Sequence, residues 1–306
     1  MNEKASGRIA AVVVHYGPWR STETTLRSLA QTAPEVSVCV VDNSSAEPSA
    51  RRPVLPPGVR VLSPGRNLGY GAACNLGARG SESELFLFLN NDVELAPGAA
   101  AAMAAALDAE PRAAAVGPRL LDSAGNPIRS IYRAPTPRRV LFENVFLPRL
   151  LPGLPFFDGH HTAYTSHRRA RDVESLSGAA VLVRRKAFEE VGGFDETFFF
   201  YAEEDDLFAR LREAGWRVRF EPAARAVHHG GVASADTPQE ELDRRLHEGL
   251  RHYARKHHGE RGERRTRSAL IWGARLRWIF SFFQPGETGR RRRRRYADIL
   301  RFSQTR

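Results

Sequence analysis

The sequence predicts an α/β fold, a mostly parallel sheet flanked by helices and followed by a basic helical tail. Three observations carry this expectation. Over the first 120 residues, short apolar runs alternate with helix-like segments, the pattern of successive βαβ units. The runs are apolar throughout rather than alternating, which suits strands buried on both faces. The net charge of +11 is concentrated at one end: residues 260–306 carry 14 Arg against Glu260, Glu263, Glu287 and Asp298, a balance of +10, while residues 1–259, with 32 basic and 31 acidic side chains, balance at +1.

Residues 9–14 form the first strand. Ser21 is placed to cap a helix running to about residue 31, with Leu26 and Leu29 on one side. Residues 36–41 give a second strand, and 59–62 a third after a Pro-rich loop. The small-residue segment 69–79 reads as helical and 85–89 as a fourth strand. Pro97 stands where a first helical turn begins, ahead of the Ala-rich 99–107. Residues 122–174 change character. Pro127, Pro135, Pro137, Pro148, Pro152 and Pro155 interrupt long elements, and the stretch reads as an extended loop over a cleft. Regular patterning returns at 176–183, then a helix from 186, a helix at 203–214, a strand at 217–220 and a polar helix at about 238–256. The expected division is a body at 1–258, in halves of about 8–120 and 121–258, and a tail at 259–306.

Composition narrows the function classes. Hydrophobic content of 42% and charged content of 26% exclude wholesale disorder. Cys39 and Cys74 sit in apolar or small-residue runs and are too few for a disulfide framework or a thiolate zinc site. The start, with Lys4 and Arg8 ahead of a short apolar run, does not read as a signal peptide. No stretch reaches the roughly 18 to 20 apolar residues that span a bilayer. The expected compartment is the cytoplasm, with attachment at the inner face of the membrane.

In α/β sheets ligands gather at the carboxyl ends of strands, so the residues just beyond 14, 41 and 89 are the candidates. Asp42-Asn43-Ser44 follows the second strand, where a carboxylate can accept hydrogen bonds from a nucleobase imide or a ribose hydroxyl; the plain alternative is a turn. Asn90-Asn91-Asp92 follows the fourth strand, and Asp92 can bind Mg²⁺ or Mn²⁺ if a diphosphate supplies the other oxygens. Arg66-Asn67-Leu68-Gly69-Tyr70-Gly71 is a Gly-containing turn into a helix, suited to close approach by a ligand, though it matches neither the Walker A nor the dinucleotide pattern. Glu203-Glu204-Asp205-Asp206 opens a helix after an aromatic run. First-turn acids favour the helix dipole, but four in succession repel one another and can raise one pKa, as a general base requires. His228-His229-Gly230-Gly231 ends a strand and can approach a metal.

Taken in order, these pieces resemble a family 2 glycosyltransferase of the GT-A type over roughly residues 8–234. The strongest part runs from Leu176-Ser177-Gly178-Ala179 through Val191-Gly192-Gly193-Phe194-Asp195-Glu196 to Phe199-Phe200-Tyr201-Ala202-Glu203-Glu204-Asp205-Asp206-Leu207. With Asn67-Leu68-Gly69-Tyr70-Gly71 and Asn90-Asn91-Asp92-Val93, the chain is similar to the bacterial rhamnosyltransferase branch. The resemblance implies a nucleotide-sugar half at 8–120 and an acceptor half at 121–258. It implies that His15 and Tyr16 lie near the base, that Asp42 holds the nucleobase, and that Asn67, Gly69, Asn75, Asn90 and Asn91 help line the donor site. Asp92, the last Asp of the family's DXD motif, and His228 would bind the metal, with Asn90 in place of the first Asp. Aligning the acidic run with the family's Glu-Asp-x-Asp-Leu puts Glu204 at the catalytic base, one methylene longer than the usual Asp, with Glu203 as fallback. Gly178, Ala179 and Asp206 would support the acceptor side. The implied reaction is an inverting transfer, with dTDP-rhamnose the favoured donor, onto a glycan or polyprenyl-diphosphate-linked acceptor in cell-envelope polysaccharide synthesis. Another nucleotide sugar with a soluble acceptor is the nearest alternative.

Two other classes compete. A nucleotidyltransferase would carry a Gly-rich loop with Arg and Lys after the first strand, where this chain has His15-Tyr16-Gly17-Pro18-Trp19. A nucleic-acid-binding protein would act through the Arg tail, but a near-neutral body and an Arg run poor in aromatics argue against base reading, so no specific nucleic acid is expected. On a helical wheel Trp272, Leu276, Ile279, Phe280 and Phe283 share an arc, with Arg267, Arg275 and Arg277 opposite and the basic cluster 290–295 beyond. That pattern predicts an interfacial helix on an anionic membrane. The alternative is that the apolar arc packs on the body.

Overall fold

The computed structural model describes residues 7–44, 53–151, 154–161, 167–230 and 237–304; Pro152, Gly231 and Ser234, which figure in the sequence reading, lie outside them. In chain order the elements are β1 (Ile9–His15), α1 (Trp19–Thr32), β2 (Ser37–Asp42), β3 (Arg60–Leu62), α2 (Tyr70–Ala78), β4 (Leu85–Asn90), β5 (Val93–Leu95), α3 (Ala99–Ala109), β6 (Ala113–Leu121) and β7 (Ile131–Tyr132). They continue with α4 (Pro137–Asn144), α5 (Leu147–Leu150), β8 (Arg171–Val173), β9 (Ser175–Leu176), β10 (Ala180–Arg184), α6 (Arg185–Glu190), α7 (Glu203–Glu213), β11 (Arg217–His228), α8 (Gln239–Phe280) and α9 (Gly286–Gln304).

The main sheet runs β3-β2-β1-β4-β10-β6-β11-β5, with β8 on β11, and β7 pairs with β9 apart from it. The β3-β2-β1-β4 half is parallel throughout. Beyond it β10 runs antiparallel to both β4 and β6, and β11 pairs parallel with β6, so the mostly parallel sheet carries an antiparallel insertion. Alternate residues of β1 face opposite layers. Ala11 and Val13 join Leu26, Leu29, Met103 and Leu107 on one side, and Val12 and Val14 join Phe88, Phe188, Phe194 and Phe208 on the other.

β6 escaped the sequence reading because three alanines open it, and alanine is a weak strand former. β11 runs on to His228, past a register shift between Glu221 and Arg225. The stretch predicted as an extended loop contains β7, α4 and α5 instead. Pro137 sits in the first turn of α4, where proline costs no hydrogen bond, and the Thr136 hydroxyl accepts from the Arg139 N–H at 3.4 Å.

The tail differs most. α8 crosses the predicted boundary, and only Gly259 (φ 65°, ψ −173°) interrupts its helical backbone, as a kink. Past that kink Thr266, Ala269, Leu270, Gly273 and Ala274 are buried, Leu270 in a cluster with Val140 and Leu250. Arg277 and Arg267 are half-buried: Arg277 donates to the Asn144 carbonyl at 3.1 Å and Arg267 to that of Ser303 at 3.0 Å. Four members of the predicted apolar arc are turned outward, with Trp272 55%, Ile279 50%, Phe280 55% and Phe283 78% exposed, while Leu276 is half-buried. α9 folds back on α8, where Arg295 meets Asp243 at 2.6 Å. Among the described residues no helix is long and apolar enough to cross a membrane.

Candidate active site

Parallel register brings the strand-end residues together. It sets His15 beside Asp42 and Val14 beside Asn90. A cavity opens at this edge, lined by Tyr16, Asn43, Asn67, Gly69, Asn90 and Asn91 among others. Asp42 is buried, and its carboxylate accepts from the Ser44 N–H at 3.2 Å. Asn43 is the linchpin of the adjoining turn. It donates to Asn67 at 2.9 Å and to the Gly69 carbonyl at 3.2 Å, and accepts from the Leu68 N–H at 2.8 Å. Asn67 in turn accepts from the Gly69 N–H at 2.9 Å. The amide of Asn91 donates to the Tyr16 carbonyl at 3.0 Å and to Thr22 at 3.2 Å.

His15 reaches the predicted strand end, but its ring is only 1% exposed. It stacks on Trp19 at 3.8 Å and shares a 2.6 Å hydrogen bond with Thr22. Burial lowers its pKa to about 4, against the pull of Asp42, so it supports the site as a neutral ring. Asn75 is not brought to the cavity. Its amide donates to the Phe194 carbonyl at 2.8 Å and accepts from the Phe194 N–H at 2.9 Å, and it lines a separate cavity with Phe188 and Gly193. The helical period turns it away from Gly69, which the motif alone could not reveal.

Asp92 and His228 meet through the antiparallel pairing of His228 with Val93. Asp92 Oδ1 lies 3.2 Å from His228 Nε2. Neighbouring ligands on an octahedral ion with bonds of about 2.1 Å stand about 3 Å apart, so this carboxylate–imidazole pair fits a shared divalent cation. Among the described residues no group of three or more His, Cys, Asp or Glu converges. His229 is engaged elsewhere, by Glu94 at 2.5 Å and Ser123 at 2.8 Å.

The four acids opening α7 point to four environments. Glu203 is buried, with one carboxylate oxygen lacking a hydrogen-bond partner among the described residues, and burial raises its pKa well above the usual range. Glu204 is half-buried against Gly178, whose N–H donates to its carboxylate. Burial first, and the Asp205 charge second, raise Glu204 to about 8. Asp205 accepts from the Ser175 hydroxyl at 2.5 Å and lies 3.6 Å from His160. Asp206 is fully buried in a structural knot with Arg210, Lys256 and His257, each at 2.8 Å.

One short segment joins the two acidic groups. The Ala179 carbonyl accepts from the Asn90 N–H at 2.9 Å, two residues before Asp92, and Gly178 contacts Glu204. The Tyr70 hydroxyl donates to the Gly178 carbonyl at 2.9 Å and locks that segment. Sequence reasoning missed Asn43, Asp205 and Arg245. Asn43 stood in a motif credited to its neighbour. Arg245 reaches the cavity from α8, 4.8 Å over the Phe199 ring, and nothing local marked it.

The profile described as Glycosyl transferase family 2 matches residues 10–192, and that described as N-terminal domain of galactosyltransferase matches 159–230. The chain is 36% identical over 250 residues to the N-acetylglucosaminyl-diphospho-decaprenol L-rhamnosyltransferase of Mycobacterium tuberculosis, covering 76% of this chain and 80% of that one. Among solved structures it is similar to a mannosyltransferase of Pyrobaculum calidifontis in complex with GDP-Man and Mn²⁺, with TM-score 0.56, 14% identity, and 97% and 86% of the two chains covered. It is also similar to GalNAc-T7 with UDP, GalNAc and Mn²⁺, with TM-score 0.52, 15% identity, and 74% and 44% covered.

Proposed function

Since the chain belongs to glycosyl transferase family 2, we propose that it transfers rhamnose from dTDP-rhamnose, with inversion, to a sugar hydroxyl on a polyprenyl-diphosphate-linked acceptor in cell-envelope polysaccharide synthesis. The rhamnosyltransferase relative supports the sugar and the acceptor class. The observation that carries the catalytic assignment is the Gly178–Ala179 segment, which holds Glu204 on one side and the Asn90–Asp92 turn on the other.

In this reading the nucleotide lies along the ends of β1 and β2, with Asp42 and Tyr16 at the base and the Asn43-pinned turn against the ribose and phosphates. Asp92 and His228 would hold Mg²⁺ or Mn²⁺, whose charge would stabilise the departing diphosphate. Glu204, with a carboxyl raised toward neutrality, takes the acceptor proton as its oxygen attacks the anomeric carbon opposite the leaving group. The Gly178 N–H and the Tyr70 hydroxyl behind it fix the direction in which Glu204 points. Glu203, only 4% exposed, is the weaker base candidate. The C-terminal helices attach the enzyme to an anionic membrane surface beside its acceptor.

Glu204→Gln and Asp92→Ala are expected to lower transfer at least about 100-fold, the lower end of what general-base catalysis contributes, with Glu203→Gln losing less. Near-normal transfer by both variants would overturn the assignment. A thermal-shift comparison of nucleotide sugars with and without Mn²⁺ tests the donor: dTDP-rhamnose should give the largest stabilisation.

A further inference from the structure

Between α5 and the α8–α9 turn lies another cavity, of about 540 Å³, lined by Phe146, Arg149, Arg277, Phe280, Ser281, Gln284, Arg292 and Tyr296. That volume is in the range of small-molecule sites. Three guanidinium groups line it and no carboxylate does. Arg277 is fixed by the Asn144 carbonyl and lies 4.6 Å over the Phe146 ring. Burial lowers its pKa, with Arg149 and Arg295 adding to the effect and Tyr296 and Glu143 opposing it.

The rim is apolar and open to solvent. Phe280 contacts Phe146 across the cavity at 6.3 Å. Phe282 and Phe283 are 57% and 78% exposed at the end of α8, and Leu150 is 69% exposed beside Arg149. Exposed aromatic and aliphatic side chains gathered around one cavity in this number are costly in water and mark an interaction surface. Aromatic side chains beside arginines are the composition of a bilayer interface, where rings sit at headgroup depth and guanidiniums meet phosphates.

We propose that this cavity takes the phosphate headgroup of an anionic lipid while the aromatic rim enters the interfacial zone, docking α8 and α9 on the membrane. The inference rests on the reading that the enzyme works at a membrane surface, and specifies which face meets it and which groups hold the lipid. Charge complementarity favours this occupant: the cavity offers only positive and neutral groups, and its rim suits lipid rather than an acidic peptide.

The test is sedimentation of the full-length chain with vesicles of phosphatidylcholine, alone or mixed with phosphatidylglycerol. Anionic vesicles should bind more tightly by about tenfold or more, with a blue shift of Trp272 and Trp278 emission. Arg149→Gln with Arg292→Gln should lower that binding roughly tenfold or more, as should Phe280→Ser with Phe283→Ser. Arg264→Gln with Arg265→Gln, the same charge loss away from the cavity, should lower it much less. Transfer to a short-chain soluble acceptor by the Arg149/Arg292 variant should match wild type, which shows the fold intact. Wild-type chain that ignores both kinds of vesicle sinks the membrane reading itself. Tight wild-type binding undiminished in the Arg149/Arg292 variant, or diminished equally in the Arg264/Arg265 variant, overturns the cavity assignment alone. Saturable binding of inorganic phosphate with no preference for anionic vesicles also overturns it.

Discussion

Glu204 owes its character to two neighbours of different kinds. Burial disfavours its charged form first, and the adjacent Asp205 charge adds to that. A base must be deprotonated to act, so kcat/KM should rise with pH through an apparent pKa displaced from the ordinary carboxylate range toward about 8. Asp205→Asn removes the second cause, and the acid limb of the profile should move to lower pH. An unmoved limb would show that the two groups do not communicate. The sign for stability is opposite. A carboxyl raised from 4.5 to about 8 in the folded chain keeps a proton that the unfolded chain releases, so this group's contribution falls as pH rises across that window.

Among the elements, α7 is aimed by a strained turn. Tyr201 and Ala202 take φ of 73° and 70°, left-handed values that non-glycine residues rarely adopt, directly before the acidic run. Gly69 meets this turn from the other side at φ 86° and ψ 169°, with Tyr70 N–H donating to the Phe199 carbonyl at 3.1 Å. A Cβ at residue 69 would collide with that carbonyl. Gly69→Ala should therefore destabilise the chain by about 2–5 kcal/mol, from strained backbone plus overpacking, and depress transfer with it. Gly80, also left-handed at φ 72° but with open space around it, provides the comparison. Its alanine variant should cost only about 1 kcal/mol in a denaturant melt.

For the molecule as a whole, charge and packing divide differently. The body is near neutral and the last 47 residues carry the excess, yet those residues are not a detachable arm. Ala269 and Leu270 cover Val140 and Leu250, and Arg295 pairs with Asp243. A chain ended after residue 262 should melt at lower temperature and aggregate, because it leaves that cluster open to water. Thermal melts of the shortened and full chains check this; equal melting temperatures would show that the tail packs too weakly to matter. Point variants of the outward residues, rather than truncation, are then the clean way to separate membrane docking from folding.

The sequence by itself determined the strands of the first 90 residues and the acidic turns that follow them. Those signals are local: an apolar run of five or six residues forms a strand wherever it lies, and Asp or Asn beyond it makes a turn. Asp42, Asn67, Gly69, Asn90, Asn91 and Asp92 could be placed at that edge of the sheet for that reason. Only the tertiary structure decided what each side chain faces. It buried His15 under Trp19, turned Asn75 toward Phe194, inserted β10 antiparallel beside β4, and hung Glu204 and Asn90 on one Gly178–Ala179 segment. It also turned the aromatic arc of the tail outward, because the small Ala269, Gly273 and Ala274 allow α8 to approach the body closely on their side. A helical wheel shows which residues share a face, but the surface that face meets is set by chain more than a hundred residues away.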